Sequence, residues 1–209
     1  MQNGTALRVL GQAGFLAELD ALIAVYGLAM RPSPVQLRGR RSIMERHAGY
    51  SAFRAVIVSA DGPAAGAGDA AGGARHDEVA AFAYGFRGAD GQWWHDVVRS
   101  GITAAAGRRA ATAWLADSFE VAEVHVRPEY QRRGIGRAML LRLTAGCPHR
   151  SAVLSTLDAA SPARRLYRNL GFTDLLTGFG FPGNGPPYAV MGAALPLREL
   201  EPGPPRPSR

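Results

Sequence analysis

The sequence predicts an α/β fold in which helices flank a central sheet. Strand-like and helix-like runs alternate along the chain, and two strand-like runs, Phe119–Val126 and Ala152–Thr156, each lead into a helix-like run. The chain of 209 residues is long enough to bury a sizeable core. We therefore expect a single domain over residues 1–200, followed by a disordered, proline-rich tail at 201–209.

The N-terminal part predicts two helices. Phe15–Met30 is an amphipathic helix, because its apolar residues recur at steps of three and four, and Arg31-Pro-Ser-Pro34 ends it. Val35–Ala48 predicts a second helix that Gly39 breaks.

Two strands follow. Phe53–Ser59 and Glu78–Phe86 predict neighbouring antiparallel strands. The alanine- and glycine-rich stretch 61–77 between them predicts a mobile loop.

Residues 88–118 predict an insertion between the third and fourth strands. The segment holds all three tryptophans of the chain, Trp93, Trp94 and Trp114. Long connections in compact domains are functional or disordered. Either the segment forms a lid or wall that stacks on an acceptor, or the tryptophans fix it to the core or to a partner subunit.

The turn after Phe119–Val126 predicts an anion site. It reads Gln131-x-x-Gly134-x-Gly136 and opens the helix-like run Ala138–Leu143. A helix start presents unpaired N–H groups and partial positive charge, and glycines allow close approach of a phosphate or pyrophosphate. A Walker loop is excluded because no Gly-Lys-Ser/Thr is present. A dinucleotide fingerprint is excluded because Met139 replaces the third small residue.

A second strand–helix unit lies downstream. Ser161 predicts a helix N-cap, Pro162 the first helical residue and Gly171 the C-terminal cap, while Ala163, Leu166 and Leu170 share one face. Thr173–Phe179 and Tyr188–Ala194 predict the last strands, joined by a loop over 181–187.

Together the two motifs resemble the GNAT family of N-acetyltransferases. The first motif follows a strand that ends Val-x-Pro, and the second reads Ala163-x-x-Leu166-Tyr167-x-x-x-Gly171-Phe172. The resemblance implies a mixed, mostly antiparallel sheet of six to seven strands, with strands 4 and 5 splayed around the cofactor. It implies transfer of an acetyl group from acetyl-CoA to the primary amine of a small molecule or peptide, by direct attack in a ternary complex and without a metal.

The resemblance also assigns the cofactor contacts. The backbone of Val124, His125 and Val126 would pair with the pantetheine arm and polarise the acetyl carbonyl. The turn would surround the pyrophosphate, largely through its N–H groups, with Gln131, Arg132, Arg133, Gly134, Ile135, Gly136 and Arg137.

Tyr167 and two glutamates are the candidate catalytic residues. Tyr167 matches the family tyrosine whose hydroxyl reaches the CoA sulfur, as a general acid or only as a packed cofactor contact. Glu120 lies at the distance from Gln131 at which histone-acetylating relatives carry their base, whereas Glu123 lies nearer the thioester. Strand alternation places Glu123 and His125 on one face and Glu120 on the other. Either glutamate could be the base or a surface carboxylate, and many relatives use water instead.

Two positions depart from the family pattern. Relatives that acetylate ribosomal protein N-termini carry a glutamate where this chain has Ser155, which argues against that specificity. The frequent family asparagine seven positions before the tyrosine is Ala160, so Ser161 would supply the helix cap.

Composition narrows the class of protein. All 24 basic residues are arginine and the net charge is +7, which suits CoA phosphates. No nucleic-acid-binding motif accompanies the charge, so no nucleic-acid partner is expected. The sequence has no apolar run of transmembrane length and no signal peptide pattern, so no membrane partner is expected. The single cysteine, Cys147, predicts a small buried side chain and favours a reducing compartment. We therefore expect a cytoplasmic bacterial protein.

Two questions stay open at the level of sequence. The tryptophan-rich segment and the last strands are compatible with a homodimer. The alternative function is a non-catalytic acyl-CoA-binding or sensing module, against which Tyr167 and the two strand glutamates argue.

Overall fold

The computed structural model describes residues 5–60, 78–183 and 185–197. The loop predicted at 61–77 and the tail predicted at 201–209 lie outside these ranges. The predicted fold class is confirmed: seven strands form a mixed, mostly antiparallel sheet in the order β1-β2-β3-β4-β5-β7-β6, with seven α-helices along the described chain. Backbone contacts group the chain into a first unit, residues 1–86 and 121–143, and a second unit, residues 87–120 and 144–209.

The first unit holds the N-terminal elements. In chain order these are β1 (Thr5–Leu10), α1 (Gln12–Ala17), α2 (Leu19–Met30), α3 (Pro34–Ala48), β2 (Arg54–Ala60), β3 (Glu78–Arg87), the later part of β4 (Ser118–Val126) and α6 (Ile135–Thr144). The first unit includes β3 as far as Phe86 and α6 as far as Leu143. Strands β1, β2 and β3 are antiparallel neighbours. Their apolar side chains and those of the helices form one core, which includes Phe15, Leu22, Met44, Phe82 and Tyr84.

Helix α3 runs unbroken through Gly39, so the predicted break there is wrong. A glycine inside a helix costs only about 1 kcal/mol. The start of α3 is well capped: Ser33 accepts from the Gln36 N–H, the Gln36 side chain accepts from the Ser33 N–H, and Pro34 is the first helical residue. Burial of Met44 and Ala48 then fixes the helix against the core.

The helix predicted at Phe15–Met30 is divided into α1 and α2 at Glu18. The interruption is one residue long, because the Glu18 N–H still donates to the Gly14 carbonyl and the Leu22 N–H to the Glu18 carbonyl. Strand β1 was not predicted from the sequence. Half-polar edge strands carry a weak pattern, and pairing with β2 supplies the missing backbone partners.

The second unit contains the remaining elements. These are α4 (Trp93–Ala106), α5 (Arg108–Leu115), the start of β4, β5 (Ser151–Leu157), α7 (Pro162–Asn169), β6 (Thr173–Phe179) and β7 (Tyr188–Ala194). Strand β7 pairs antiparallel with both β5 and β6. The predicted insertion therefore consists mainly of two helices, and these pack with the strands in a second core of Val98, Ile102, Ala111, Leu115, Val153 and Val190.

Strands β4 and β5 pair in parallel over a short ladder. It runs from Ser118↔Ser151 to Glu120↔Val153, although β4 has nine residues and β5 has seven. A ladder of three residue pairs is the short pairing that a splayed pair of strands requires. Glu120 is the last β4 residue in it.

The three tryptophans have different surroundings in the second unit. Trp114 packs so closely on β7 that a Cβ at Gly192 would stand 2.8 Å from its ring. The Trp94 indole N–H donates to the Ser155 hydroxyl at 3.1 Å. Trp93 is 59% exposed and contacts Phe181. Two tryptophans thus fix the segment to the core, and one presents its ring at the surface.

Candidate active site

The turn between β4 and α6 is held in a defined conformation by its own side chains. The Gln131 side-chain amide donates to the Val126 carbonyl at 3.0 Å, and the Arg133 guanidinium donates to the Glu129 carbonyl at 2.9 Å. Gly134 has φ +79°, which favours glycine, and Arg132 has φ +61°, which a side chain rarely adopts. The turn therefore depends on glycine at 134 and stores some strain at 132.

The surface of this turn is cationic. Arg132, Arg133 and Arg137 are exposed, whereas Ile135 is buried and anchors the helix start. The first turn of α6 adds N–H groups and the positive end of the helix dipole. This combination suits a phosphate or pyrophosphate. The half-buried residues Val124, His125 and Val126 lead into it.

Glu123 takes part in a charged network of the first unit. One carboxylate oxygen accepts from the Arg40 guanidinium at 2.6 Å, and the other hydrogen-bonds with the His125 ring. The Tyr26 ring packs against both Arg40 and His125. Burial favours the neutral acid, but His125 and Arg40 outweigh it and hold the pKa of Glu123 below its ordinary value. The contact between Glu123 and His125 agrees with the predicted shared face.

A second buried pair lies beside this network. The His47 ring nitrogen Nδ1 is 3.1 Å from the Tyr84 hydroxyl. Burial lowers the pKa of His47 to about 4, although the Glu123 charge acts in the opposite direction. His47 is therefore neutral at pH 7 and contributes no charge to the network.

Glu120 has a different environment, in the second unit. It is 3% exposed, and its Oε1 atom lies 2.7 Å from Nδ1 of His95 on α4. Burial raises the pKa of Glu120, and the hydrogen bond and charge of His95 offset part of that rise. A buried carboxyl group with a raised pKa holds a proton more readily than an ordinary one.

Tyr167 lies on α7 in the second unit and is 8% exposed. Its ring packs on Phe172 with 5.8 Å between centroids. The helix begins as predicted: the Ser161 hydroxyl accepts from the Arg164 N–H, Pro162 is the first helical residue, and Gly171 follows the helix with φ +88°. This cap needs no asparagine at position 160.

Arg164 has an internal structural role. The residue is 7% exposed, and its guanidinium donates to both Asp158 and Asp174, to the latter at 2.8 Å. These bonds raise the pKa of Arg164 further above its already high value. Arg164 therefore ties the start of α7 to Asp158 and to β6.

Two residues that contact the candidate glutamates are not predicted by the sequence analysis. His95 is 25 positions from Glu120, and Arg40 is 83 positions from Glu123. No local motif marks either residue, because only the packing of α4 and α3 brings them to their glutamates. Within the described ranges, no group of three or more His, Cys, Asp or Glu side chains could hold a metal ion, and no helix has the length and apolarity of a membrane span.

The seven-stranded mixed sheet, with this turn between β4 and α6, defines a GNAT-type α/β domain. Residues 90–174 of the chain match the family model described as an acetyltransferase (GNAT) domain. A GCN5-like protein acetyltransferase of Mycobacterium tuberculosis is 43% identical over 119 residues, which cover 55% of this chain and 58% of that protein. The chain thus spans less than two thirds of this relative.

Solved structures agree on the fold. A GNAT-family protein from Desulfovibrio desulfuricans superposes with a TM-score of 0.59 at 14% identity, covering 91% of this chain and 98% of its own. The PaiA N-acetyltransferase of Thermoplasma acidophilum, solved in complex with coenzyme A, gives 0.54 at 13% identity, covering 93% and 99%. At these identities the likeness concerns the fold alone.

Proposed function

We propose that this protein is an acetyl-CoA-dependent N-acetyltransferase that acts on the primary amine of a small molecule or peptide. The observation that carries the proposal is the exposed, arginine-rich Gln131–Gly136 turn at the start of α6, in a chain whose residues 90–174 match the GNAT family model. The complex of a GNAT neighbour with coenzyme A supports the same cofactor class. The amine would attack the thioester directly in a ternary complex, without a metal.

In this proposal the turn binds the pyrophosphate of acetyl-CoA. Its backbone N–H groups and the helix dipole supply most of the binding, so the side chains of Arg132 and Arg133 contribute modestly. The backbone of Val124, His125 and Val126 pairs with the pantetheine arm and polarises the acetyl carbonyl. Glycine at 134 is required because its φ of +79° excludes a β-branched side chain.

We assign the general base to Glu120 rather than to Glu123. The amine must lose a proton, and a base is effective when its pKa lies near the working pH. Burial raises the pKa of Glu120, whereas Arg40 and His125 keep Glu123 ionised. An ionised carboxylate that already accepts from two side chains is a poor proton acceptor, so Glu123 has a structural role here.

We assign the general acid to Tyr167. An ordinary phenol, with a pKa near 10, is protonated at pH 7 and can protonate the departing CoA thiolate. The match of Tyr167 to the family tyrosine supports this role. Replacement of Tyr167 by Phe removes the proton and keeps the ring, so it tests chemistry with little change in packing.

Thermal unfolding with and without acetyl-CoA tests the cofactor assignment. At a ligand concentration of about 100 Kd the native state gains about 2.7 kcal/mol, which raises the Tm of a chain this size by roughly 5–10 °C. The rise should be absent with NAD and strongly reduced in Gly134→Val, but nearly kept in Arg132→Ala. No rise at millimolar acetyl-CoA contradicts the proposal.

Thiol release from acetyl-CoA with a panel of amines then tests catalysis. Wild-type protein should release CoA only when an acceptor amine is present, and Tyr167→Phe should bind acetyl-CoA normally but turn over more slowly. Binding without release for every amine would instead indicate an acyl-CoA-binding module.

A further inference from the structure

We propose that His95 is a positioning residue for Glu120: its Nδ1–H holds Oε1 of the carboxylate, so that Oε2 is the atom that takes the proton of the amine. This inference rests on the proposed function. It adds a residue that neither the family motifs nor the sequence spacing assigned. His95 acts through Glu120 and has no assigned contact with substrate or cofactor.

The first argument is the geometry of the pair. Nδ1 of His95 and Oε1 of Glu120 are 2.7 Å apart, a short distance for an N–H···O bond, and both side chains are 4% exposed. A buried carboxylate without a hydrogen-bond partner has no fixed orientation, and its burial lowers the stability of the folded state. The histidine supplies the partner and fixes the plane of the carboxylate.

The second argument is the space around the pair. Gly88 packs so closely that a Cβ there would stand 2.5 Å from Oε1 of Glu120 and 2.8 Å from Nδ1 of His95. The Gly88 N–H donates to the Ser118 carbonyl at 3.0 Å, which fastens the loop beside β4. A side chain at this position would displace the pair, so the loop packs directly against the buried hydrogen bond.

The third argument is the charge beyond the pair. Nε2 of His95 is 3.8 Å from the exposed carboxylate of Asp90, and Arg99 binds both Asp90 and Asp96. The groups that face Glu120 are therefore His95 and Asp96 from α4 and Ser118 from β4, with Asp90 and Arg99 on the far side of the imidazole. The Asp90 carboxylate therefore lies on the Nε2 side of the imidazole, opposite the Nδ1 side that faces Glu120.

The consequence concerns when Glu120 can act. A base must be ionised to accept a proton, and burial alone keeps a carboxyl group protonated. The Nδ1–H bond stabilises the ionised form, so it sets the pH above which Glu120 works. Loss of His95 should move the acid limb of the pH–rate profile to higher pH rather than reduce the rate equally at every pH.

The test compares three variants with the wild type, by the pH dependence of kcat/KM and the acetyl-CoA thermal shift. His95→Ala should lower activity at pH 7 about tenfold or more and recover at higher pH. His95→Asn places an amide N–H near the former Nδ1, so it should return the acid limb towards that of the wild type. All variants should keep the acetyl-CoA thermal shift.

His149→Ala is the matched control. His149 also forms a histidine–carboxylate pair in the second unit, with Asp117 at 2.8 Å, and it has no role in the proposed reaction. Its removal should leave the acid limb unmoved. An equal effect of His95→Ala and His149→Ala, or a loss in His95→Ala that is constant across pH, overturns the proposal.

A titration of the Glu120 side-chain carbon by NMR separates this proposal from the proposed function. It needs no substrate and no turnover. If His95→Ala does not raise the midpoint of the Glu120 titration, the positioning role is wrong whatever the activity. If the midpoint rises but the wild type acetylates no amine, the positioning role of His95 is supported and the proposed function is contradicted.

Discussion

Glu120 and Glu123 lie three residues apart on β4, yet their surroundings make them chemically different. Glu120 is paired with one histidine, and burial dominates its titration. Glu123 accepts from a guanidinium and contacts a second histidine, so cationic partners dominate. The same side chain on the same strand thus has a raised pKa in one place and a lowered pKa in the other. The difference lies in the helices that supply the partners.

The largest expected effect is on turnover. Glu120→Gln removes the base and keeps the shape of the side chain, so kcat should fall by about 10²–10⁴-fold. Glu123→Gln should lower kcat by less than about tenfold, because it removes a charge that takes no proton in the reaction. Steady-state kinetics with one acceptor amine measures both. Similar losses in the two variants would break the distinction between the glutamates.

The next effect is on the free energy of unfolding, for which Glu123→Gln should have the larger effect and Glu120→Gln the smaller. Glu123→Gln leaves the Arg40 guanidinium without its anionic partner, which should cost about 1–3 kcal/mol. Glu120→Gln replaces a buried charge by a neutral amide that can still bond to His95, so it should be within about 1 kcal/mol of the wild type. Urea unfolding at pH 7 measures both, and a more unstable Glu120→Gln would contradict the assignment.

The smallest effect is on the pH dependence of stability, where the two glutamates act with opposite sign. The lowered pKa of Glu123 contributes stability above the unfolded value of about 4.3, and this is lost as the pH falls through the folded pKa. The raised pKa of Glu120 contributes stability below about 4.3, which is lost as the pH rises through its folded pKa.

Urea unfolding over a range of pH tests these signs. The deficit of Glu123→Gln against the wild type should shrink on acidification. The free energy of unfolding of Glu120→Gln should instead increase relative to that of the wild type as the pH rises from about 4. Parallel curves for wild type and Glu120→Gln would show that burial does not perturb Glu120.

Most of the fold could be predicted from the sequence, and the site only in part. The last two strands match their predicted bounds, and the cap at Ser161 was predicted because capping is a local interaction. Strand β1 and the unbroken α3 were not predicted, since tertiary pairing and packing override weak local preferences.

The choice between the two glutamates needed the structure. From their positions along β4, either glutamate could be the base, and strand alternation predicts only that the two lie on opposite faces. Their pKa values depend on burial and on His95, Arg40 and His125, of which only His125 is near in sequence. The proposed cofactor contacts and Tyr167 rest on the family resemblance, and binding and kinetic measurements decide them.

The start of α4 has a consequence for insertions and deletions in this protein. Trp93 contacts Phe181, Trp94 bonds to Ser155 on β5, and His95 bonds to Glu120 on β4, so three consecutive residues reach three separate segments. Successive helix residues point about 100° apart, so a deletion of one residue between 88 and 92 would rotate the helix by that angle. Asp96 would then replace His95 opposite Glu120, and two carboxylates would face each other. The length of this loop thus decides which residue of α4 faces Glu120.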